Sequence, residues 1–271
     1  MMSSLQNKIP IGILTRNRPM NLYLTLRSLM ATKLPVDVKI TIYDDASDLQ
    51  IAREFLYSSQ KIPNIHLSVP DVLAHNMPDP IRTVDLYGIK DYFKVVSMRS
   101  HQGVFHASLE ALRDLLRGSY AKYVCLLQDD ILFIKDWYIR MTNLAKTFNP
   151  GILGGISFGC ATSECNNKKY SIVKVQWTQA QCLFIARDLL EIILPELQKF
   201  DSAKKNHFDL SICDTARMHG YNVLVTQPHV CQHIGDSSLV QPNKCFSRKG
   251  GRYSKNIYEP LVLAKNLSWF S

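Results

Sequence analysis

The feature that most restricts the fold of this chain is the regular alternation of strand-like and helix-like segments in its first half. The apolar run IPIGIL is followed by the turn TRNRP and by a segment in which Leu22, Leu26 and Leu29 recur at helical spacing. A second apolar run, VDVKITIY, comes next. Strands that alternate with helices form βαβ units, which build a mainly parallel sheet with helices on its faces. The pattern therefore predicts an α/β fold with a mainly parallel central sheet flanked by helices.

The same pattern continues to about residue 130 and then becomes less regular. The segments YFKVVSM and KYVCLLQ are predicted strands, and HQGVFHASLEALRDLLRG is a predicted turn and helix between them. In the second half, WYIRMTNLAKTF predicts a helix. CLFIARDLLEIIL predicts a strand that leads into a helix, and Pro195 should disturb that helix. FDLSICDTARMHG predicts a helix that ends at Gly220. The polar stretch 58–91 is not assigned. No repeat or flexible linker interrupts the sequence, so we expect one domain over residues 1–271.

Polar side chains follow three of these predicted strands at the point where each strand ends. They are Thr15–Arg18 after the first strand, Asp44 and Asp45 after the second, and Asp129 and Asp130 after KYVCLLQ. In a parallel sheet, ligands bind beyond the carboxyl ends of the strands. We therefore expect the three clusters to meet at one edge of the sheet and to form a binding site there.

Two adjacent carboxylates at a strand end either form a solvated turn or bind a cation. Mg²⁺ and Mn²⁺ prefer oxygen ligands and are commonly held by one or two carboxylates together with substrate phosphates. Asp129 and Asp130 meet this requirement, and a metal held there would stabilise a diphosphate as a leaving group. Arg16 and Arg18, in the turn before the first helix, could pair with phosphate or serve only as surface charges.

The charge of the chain indicates anionic partners. Its 271 residues carry a formal net charge of +9, and five cations lie between Lys244 and Lys255 with no acidic residue among them. Such a segment attracts nucleic acid, an anionic membrane surface or a nucleotide, and it is equally typical of a solvated tail.

Cysteine content and hydropathy bear on the compartment. The seven cysteines lack framework spacing, which favours reduced thiols; Cys160 and Cys165 either pair or are two incidental thiols. No apolar run approaches the roughly 18 residues of a membrane-spanning helix, and the N-terminus lacks the apolar segment of a secretory signal. We expect a cytoplasmic protein that contacts a membrane or nucleic acid peripherally.

The order of these motifs resembles the family-two glycosyltransferases, which have the A-type glycosyltransferase (GT-A) fold. IPIGILTRNRPMNLYLTLRSL and KITIYDDASD resemble the family's first strand, turn and helix and its second strand ending in Asp-Asp-x-Ser. HQGVFHASLEAL resembles the Asn-x-Gly-x-x-x-Ala helix start, with His101 in place of Asn. CLLQDDI resembles the metal-binding Asp-x-Asp motif, with Gln128 at its first acidic position. HFDLSICDTARMHGYNVLVTQPHVCQHIG resembles the later segment from an acid to His-x-Gly, so the matches run in order from residue 9 to about residue 240.

The resemblance implies a role for each matching position. Asp44 would contact the nucleotide base and Asp129 the ribose or sugar, and the full set of donor-binding residues would be Thr15, Asn17, Arg18, Asp44, Asp45, His101, Gln102, Gly103 and Asp129. Asp130 would bind Mn²⁺ or Mg²⁺ on the donor diphosphate, and His233 would be a second protein ligand or a diphosphate contact. Because Gln128 replaces an acid, either Asp129 or Asp130 could be the main metal ligand.

The resemblance also divides the chain and supplies a general base. Residues 9–130 would form the nucleotide-sugar half, 131–240 the acceptor and catalytic half, and 241–271 a basic C-terminal segment. Asp209, at the head of a predicted helix, would deprotonate the acceptor hydroxyl in an inverting displacement, with Asp214 as the second choice. A capping acid at a helix start is the alternative explanation for Asp209.

Two further groups in the second half allow more than one interpretation. On a strand, His229, Cys231 and His233 would lie on one face, where a zinc site is an alternative, although the spacing is unusual for zinc. Trp177 precedes a polar turn and would either stack on an acceptor sugar or pack in the core.

The expected activity is transfer of a hexosyl or pentosyl group from a nucleotide-diphosphate sugar, a UDP-sugar by family habit, to an acceptor hydroxyl. Anionic acceptors fit the positive charge, which favours a lipid-linked glycan or a hydroxylated base of modified phage-type DNA. The alternatives are a sugar nucleotidyltransferase and an inactive member that binds sugar or nucleotide. The first would need a glycine-rich N-terminal loop, and GILTRNRP has one glycine. The second is disfavoured because Asp130, Asp209 and His233 are all present.

Overall fold

The computed structural model describes residues 8–57, 62–65, 84–86, 93–156, 171–199 and 207–234. The strands are β1 (Ile11–Thr15), β2 (Ile40–Asp44), β3 (Ile62–Ile65), β4 (Val84–Leu86), β5 (Lys94–Ser97), β6 (Tyr123–Gln128), β7 (Ile131–Phe133), β8 (Ile152–Gly154), β9 (Ser171–Lys174), β10 (Cys182–Ala186), β11 (Val223–Gln227) and β12 (Cys231–His233). The helices are α1 (Pro19–Met30), α2 (Gln50–Tyr57), α3 (Gly103–Arg117), α4 (Trp137–Phe148), α5 (Arg187–Leu197) and α6 (Phe208–Met218).

Eight strands form one central sheet in the order β5-β2-β1-β6-β10-β8-β11-β9. The pairs β5–β2, β2–β1, β1–β6 and β8–β11 are parallel, whereas β10 is antiparallel to both of its neighbours and β9 is antiparallel to β11. The mainly parallel sheet with flanking helices that the sequence predicted is therefore confirmed. Two small sheets, β7–β12 and β3–β4, accompany it.

The sheet direction determines where functional side chains can gather. The parallel strands β5, β2, β1 and β6 all end at the same edge, which we call the carboxyl edge. Because β10 is antiparallel to β6, with Cys182 opposite Leu127, the chain enters β10 at this edge as well. Residues that follow the four parallel strands and residues that precede β10 are therefore neighbours in space.

The central strands are buried because helices pack against them. α3 packs on β1 and β6, α5 packs on β10, and α6 packs on β11. α1 packs on β7, the strand that pairs with β12. All five residues of β1 and of β10 are buried, as expected for central strands covered on both faces. At Gly12 an added Cβ would lie 2.8 Å from the end of the Leu115 side chain, so a larger residue there would have to displace that side chain of α3.

Some elements differ from the sequence-based prediction. The hairpin partners β7 and β12, the short strand β9 and the helix α2 were not predicted as separate elements, because runs this short have too few residues to show a period. Pro195 was expected to disturb its helix, but α5 continues through it to Leu197. Proline in the last turn removes one backbone donor and leaves the preceding turns intact.

Further sequence-based expectations concern membrane spans, cysteine pairing and the basic C-terminal segment. No helix among the described residues is long and apolar enough to cross a membrane. Cys125, Cys182, Cys213 and Cys231 are buried and are not joined to one another by disulfides, and the reduced state expected from the sequence stays a prediction. The pairing of Cys160 with Cys165 and the basic C-terminal segment of residues 241–271 lie outside the described residues.

Candidate active site

The carboxyl ends of β1 and β6 bring Thr15 next to Asp129. The two strands are parallel, with Leu14 opposite Gln128, so the next residues, Thr15 and Asp129, lie at the same edge of the sheet. Thr15 Oγ1 donates a hydrogen bond to Asp129 Oδ2 at 2.7 Å, and both side chains are buried. A hydroxyl that donates to a carboxylate stabilises its charged form, so Thr15 helps to hold Asp129 in one orientation.

Arg18 bridges the two adjacent carboxylates. Its Nη1 atom lies 3.0 Å from Asp129 Oδ1, and its Nη2 atom lies 2.6 Å from Asp130 Oδ2. Arg18 immediately precedes Pro19, the first residue of α1, and its carbonyl accepts a hydrogen bond from Leu22 N at 3.0 Å. The helix therefore fixes the backbone from which the guanidinium reaches the acids.

His233 reaches the same site from far along the chain. β12 pairs antiparallel with β7, which places His233 opposite Ile131, the residue after Asp130. His233 Nε2 lies 2.9 Å from Asp130 Oδ2, and the backbone carbonyl of Asp130 accepts a hydrogen bond from Ile234 N at 2.8 Å. The hairpin thus joins two residues that the sequence analysis had assigned to one metal site.

The two acids have opposite pKa shifts. Burial raises the pKa of Asp129 to about 6 even though Arg18 lowers it, because the negative charge of Asp130 acts in the same direction as burial. Burial would also raise the pKa of Asp130, but His233 and Arg18 outweigh it and hold that pKa well below its usual range. Asp130 is therefore the acid that keeps its negative charge most firmly.

Asp130 retains one oxygen for a further cation. Its Oδ1 atom is buried and has no hydrogen-bond partner within the described ranges. An unpaired buried carboxylate oxygen is costly, and a hard divalent cation is a suitable partner for it. The residues present therefore fit Mn²⁺ or Mg²⁺ bound by Asp130 and His233. In the part of the chain that the structure describes, no three His, Cys, Asp or Glu side chains group to hold a metal, so Asp130 and His233 do not complete a coordination sphere by themselves.

The zinc alternative gains no support, because His229, Cys231 and His233 form no metal-holding group among the residues described. Cys231 is fully buried in the core, and His233 is directed at Asp130. His229 is also buried, and burial lowers its pKa to about 4. A neutral histidine inside the core explains this position.

Asp44 uses its carboxylate to shape the loop after β2. Its Oδ1 accepts hydrogen bonds from Ser47 N at 3.1 Å and Ser47 Oγ at 2.5 Å, and its Oδ2 accepts one from Tyr57 OH at 2.6 Å. The side chain is 1% exposed. The contact with a nucleotide base expected for Asp44 stays a prediction, which would require one of these hydrogen bonds to be shared.

Asn17 connects the turn after β1 to the same loop. Its Oδ1 accepts hydrogen bonds from Asp48 N and Leu49 N, each at 3.0 Å, and its backbone N donates to Ser47 Oγ at 2.9 Å. Asn17 has φ 53°, a left-handed conformation that asparagine tolerates better than most residues. The turn that carries Arg18 is thus fastened to the loop that follows β2.

Asp45 binds the start of α3. Its Oδ1 accepts a hydrogen bond from Gln102 N at 2.6 Å, and its Oδ2 accepts one from Gly103 N at 3.0 Å and lies 2.7 Å from His101 Nδ1. A carboxylate at a helix N-terminus pairs with free N–H groups and with the positive end of the helix dipole. His101, with its side chain 49% exposed, is left at the carboxyl edge with its imidazole oriented by Asp45.

Asp209 and Asp214 occupy different environments on α6. Asp209 lies in the first turn, its Oδ1 accepts a hydrogen bond from Leu210 N at 3.0 Å, and burial raises its pKa. Its neighbour Phe208 makes an edge-to-face contact with Phe105 in the first turn of α3, with ring centroids 6.1 Å apart. The start of α6 therefore lies beside the start of α3. Asp214 is exposed and pairs with Arg217 on its own helix.

The segment 177–181 borders the acidic pair. Among its residues, only Trp177 was predicted from the sequence to belong to the site. Gln128 N donates a hydrogen bond to Gln181 O at 3.0 Å, which places the segment next to the end of β6. Trp177 is partly buried and packs against the core. The amide oxygens of Gln179 and Gln181 are buried without a hydrogen-bond partner among the described residues. The run TQAQ directly before a fully apolar strand was the signal that could have identified them.

Comparison with known proteins identifies the fold. No protein-family model matches the chain, and no curated protein matches it significantly. Among solved structures it is similar to S. aureus TarS, with a TM-score of 0.50 and 12% identity, over 80% of this chain and 35% of that one. It is also similar to the mannosyltransferase PcManGT from Pyrobaculum calidifontis in complex with GDP-Man and Mn²⁺, with a TM-score of 0.50 and 16% identity, over 82% of this chain and 57% of that one. The chain spans only part of each, and the likeness confirms the predicted GT-A fold.

Proposed function

We propose that this GT-A chain is a glycosyltransferase that moves a sugar from a nucleotide-diphosphate sugar to an acceptor hydroxyl. The observation that carries the proposal is the meeting of Arg18, Asp129, Asp130 and His233 at the carboxyl edge, with one oxygen of Asp130 unpartnered in the described structure. The similarity to a mannosyltransferase solved with GDP-Man and Mn²⁺ supports a nucleotide-sugar donor and a divalent metal.

In this proposal, Asp130 and His233 hold Mn²⁺ or Mg²⁺ with the donor diphosphate. When bound, the metal neutralises charge that develops on the diphosphate leaving group. Asp129, fixed by Thr15, lies nearer the ribose or sugar and positions the Arg18 guanidinium. The nucleotide would lie along the ends of β1 and β2, beside Asn17, Asp44 and the α3 start formed by His101, Gln102 and Gly103. We propose UDP as the first nucleotide to test.

Asp209 is the proposed general base. The acceptor hydroxyl oxygen attacks the anomeric carbon, the bond from that carbon to the diphosphate oxygen breaks, and the hydroxyl proton passes to the Asp209 carboxylate. A single displacement of this kind inverts the anomeric centre. The raised pKa of Asp209 supports the role, because a carboxylate with a higher proton affinity is a stronger base.

The acceptor would enter beside the segment 177–181. Trp177 offers an aromatic face on which a sugar or base could stack, and Gln179 and Gln181 offer two buried amide oxygens that can accept hydrogen bonds from hydroxyl groups. The net charge of +9 supports an anionic acceptor such as a lipid-linked glycan or nucleic acid.

Thermal unfolding tests the donor site. UDP, GDP and dTDP would each be added with Mn²⁺ or with EDTA to the wild type and to Asp130→Asn. A nucleotide at about 100 times its dissociation constant should add roughly 2.7 kcal/mol to the free energy of unfolding. That corresponds to a rise in Tm of several degrees, at about 2–4 °C per kcal/mol.

The expected shift requires both the metal and Asp130. Asp37→Asn, which changes an exposed acid paired with Lys8, is the matched control and should respond as the wild type does. If no nucleotide shifts the wild-type Tm in the presence of Mn²⁺, the proposed activity is wrong and only the fold is shared.

A further inference from the structure

Arg18 occupies the position of a positive ion between Asp129 and Asp130. It contacts one oxygen of each acid, at 3.0 Å and 2.6 Å, and its side chain is only 18% exposed. A guanidinium is charged at any pH near neutrality, so Arg18 places a permanent positive charge between the two acids. The acidic pair is therefore already half neutralised by a cation that belongs to the protein.

The guanidinium cannot move far from the acids without breaking this pairing. The Arg18 backbone lies at the start of α1. Hydrogen bonds from the loop after β2 to Asn17 Oδ1 hold the preceding turn in place. Asp130 Oδ2 is shared between Arg18 and His233, while Oδ1 is buried and unpartnered among the described residues. A divalent cation that binds Oδ1 would therefore lie on the same carboxylate as the guanidinium.

The charges at this site make such an addition unfavourable without a further anion. Asp129 and Asp130 carry two negative charges, and Arg18 carries one positive charge, which leaves a net charge of about −1 before any effect of His233. A divalent cation would change this to about +1 in a buried site, where like charges repel strongly. A diphosphate brings at least two negative charges and would reverse that balance.

We propose that Arg18 is an internal counter-ion that opposes metal binding until the donor diphosphate arrives, so that metal and nucleotide bind together. The inference rests on the proposed function and assigns Arg18 a positioning role rather than a catalytic one. It predicts strong positive coupling, in which each ligand raises the affinity of the site for the other by the same factor. The coupling would prevent the site from being filled by free metal that has no donor.

Mn²⁺ binding followed by electron paramagnetic resonance tests the idea without an activity assay. In the wild type, saturating UDP should raise the affinity for Mn²⁺ by about 100-fold, a factor within the usual range of coupling free energies. Arg18→Met should bind Mn²⁺ alone at least tenfold more tightly than the wild type, and UDP should then add less than tenfold. Arg18→Lys keeps the charge and should stay close to the wild type.

Arg16→Met is the matched control. Arg16 lies two residues earlier and pairs with Asp48 rather than with the acidic pair, so its removal should leave the affinity for Mn²⁺ alone unchanged. Because Arg18→Met leaves two buried acids without their cation, it could fail to fold, which circular dichroism would reveal. Arg18→Gln also removes the positive charge but keeps an amide that can donate hydrogen bonds to the acids, and it should likewise bind Mn²⁺ without UDP.

The inference is overturned if Arg18→Met and Arg18→Gln, whichever of them folds, bind Mn²⁺ alone no more tightly than the wild type. It is also overturned if the wild type binds UDP but binds Mn²⁺ equally well with and without it. Failure of the proposed function has a different result: no nucleotide binds to the wild type at all, while the comparison of Mn²⁺ alone between wild type and Arg18→Met still tests Arg18.

Discussion

Asp129 and Asp130 are neighbours in the chain, yet their contacts give them different tasks. Asp129 uses both oxygens within the protein, one toward Thr15 and one toward Arg18. Asp130 shares Oδ2 between Arg18 and His233 and leaves Oδ1 without a partner among the described residues. The sequence left open which acid would be the main metal ligand, and this geometry favours Asp130.

Asp209→Asn should lower transfer to an acceptor by at least about 100-fold, the usual contribution of a general base, because an amide cannot take the hydroxyl proton. Binding of UDP with Mn²⁺ should be unchanged, since Asp209 makes none of the contacts around the acidic pair described above. The measurement is release of UDP from a UDP-sugar in the presence of candidate acceptors, with calorimetry for binding.

Asp214→Asn is the control on the same helix, because Asp214 is exposed and paired with Arg217. It should keep the wild-type rate. The opposite pattern, with transfer lost in Asp214→Asn and retained in Asp209→Asn, would exchange the two assignments.

His229 should make the protein less stable in mild acid. Burial lowers its pKa from 6.5 to about 4 in the folded state, so between these values the unfolded chain binds more protons than the folded chain. Stability therefore falls as pH falls through this range. The loss from this residue should be about 2 kcal/mol between pH 7 and pH 5.

Urea unfolding of wild type and His229→Gln at the two pH values measures this effect, because the variant should lose less stability on acidification. His219→Gln changes an exposed histidine beside Glu196 and serves as the comparison. An identical pH dependence in wild type and His229→Gln would contradict the prediction.

At the scale of whole elements, the site is built where strands end and helices begin. β1 leads into α1 through the turn that carries Arg18, and β6 leads into the β7 hairpin through the acidic pair. The start of α3 is completed by a residue from another element, since Asp45 after β2 accepts hydrogen bonds from Gln102 N and Gly103 N. Helix starts and strand ends therefore stabilise one another at the carboxyl edge.

Asp45→Ala should destabilise the protein by about 1–2 kcal/mol, the usual cost of losing a helix cap. The backbone N–H groups of Gln102 and Gly103 would lose their acceptor, and His101 would lose its partner. Hydrogen exchange should become faster in the first turn of α3, and urea unfolding would give the free energy.

Asp48→Ala is the control in the same loop, because Asp48 is exposed and its carboxylate contacts Asn17 and Arg16 rather than α3. It should change stability by less than about 0.5 kcal/mol. Unchanged exchange at the start of α3 in Asp45→Ala would show that the cap is not needed.

At the scale of the whole molecule, β10 joins the two halves of the central sheet. It lies between β6 and β8 and is antiparallel to both, so the strands before residue 130 and those after residue 150 share one core. The same arrangement brings the segment 177–181 to the carboxyl edge, and the β7–β12 hairpin brings His233 to it. The reversed direction of β10 therefore brings the proposed acceptor segment next to the end of β6.

Local sequence patterns are sufficient to predict the main elements and the polar residues at their ends. Local apolar periodicity predicts β1, α1, β2, α3 and β6. The polar residues that follow each strand can be read directly from the sequence. The direction of parallel strands then requires those residues to lie at one edge. Local patterns of this kind depend on interactions between residues a few positions apart, which is why a single sequence reveals them.

Contacts between side chains that are distant in the sequence depend on the folded arrangement of the whole chain. His233 reaches Asp130 across 103 positions, Arg18 reaches it across 112, and Asp45 accepts hydrogen bonds from residues 56 to 58 positions later. Contacts between residues so far apart in the sequence depend on strand order and hairpin register. Both arise from packing of the entire core and produce no periodic pattern in the sequence. The division of tasks between Asp129 and Asp130 depends on burial and on those distant partners, so two adjacent and identical residues could be told apart only in the folded chain.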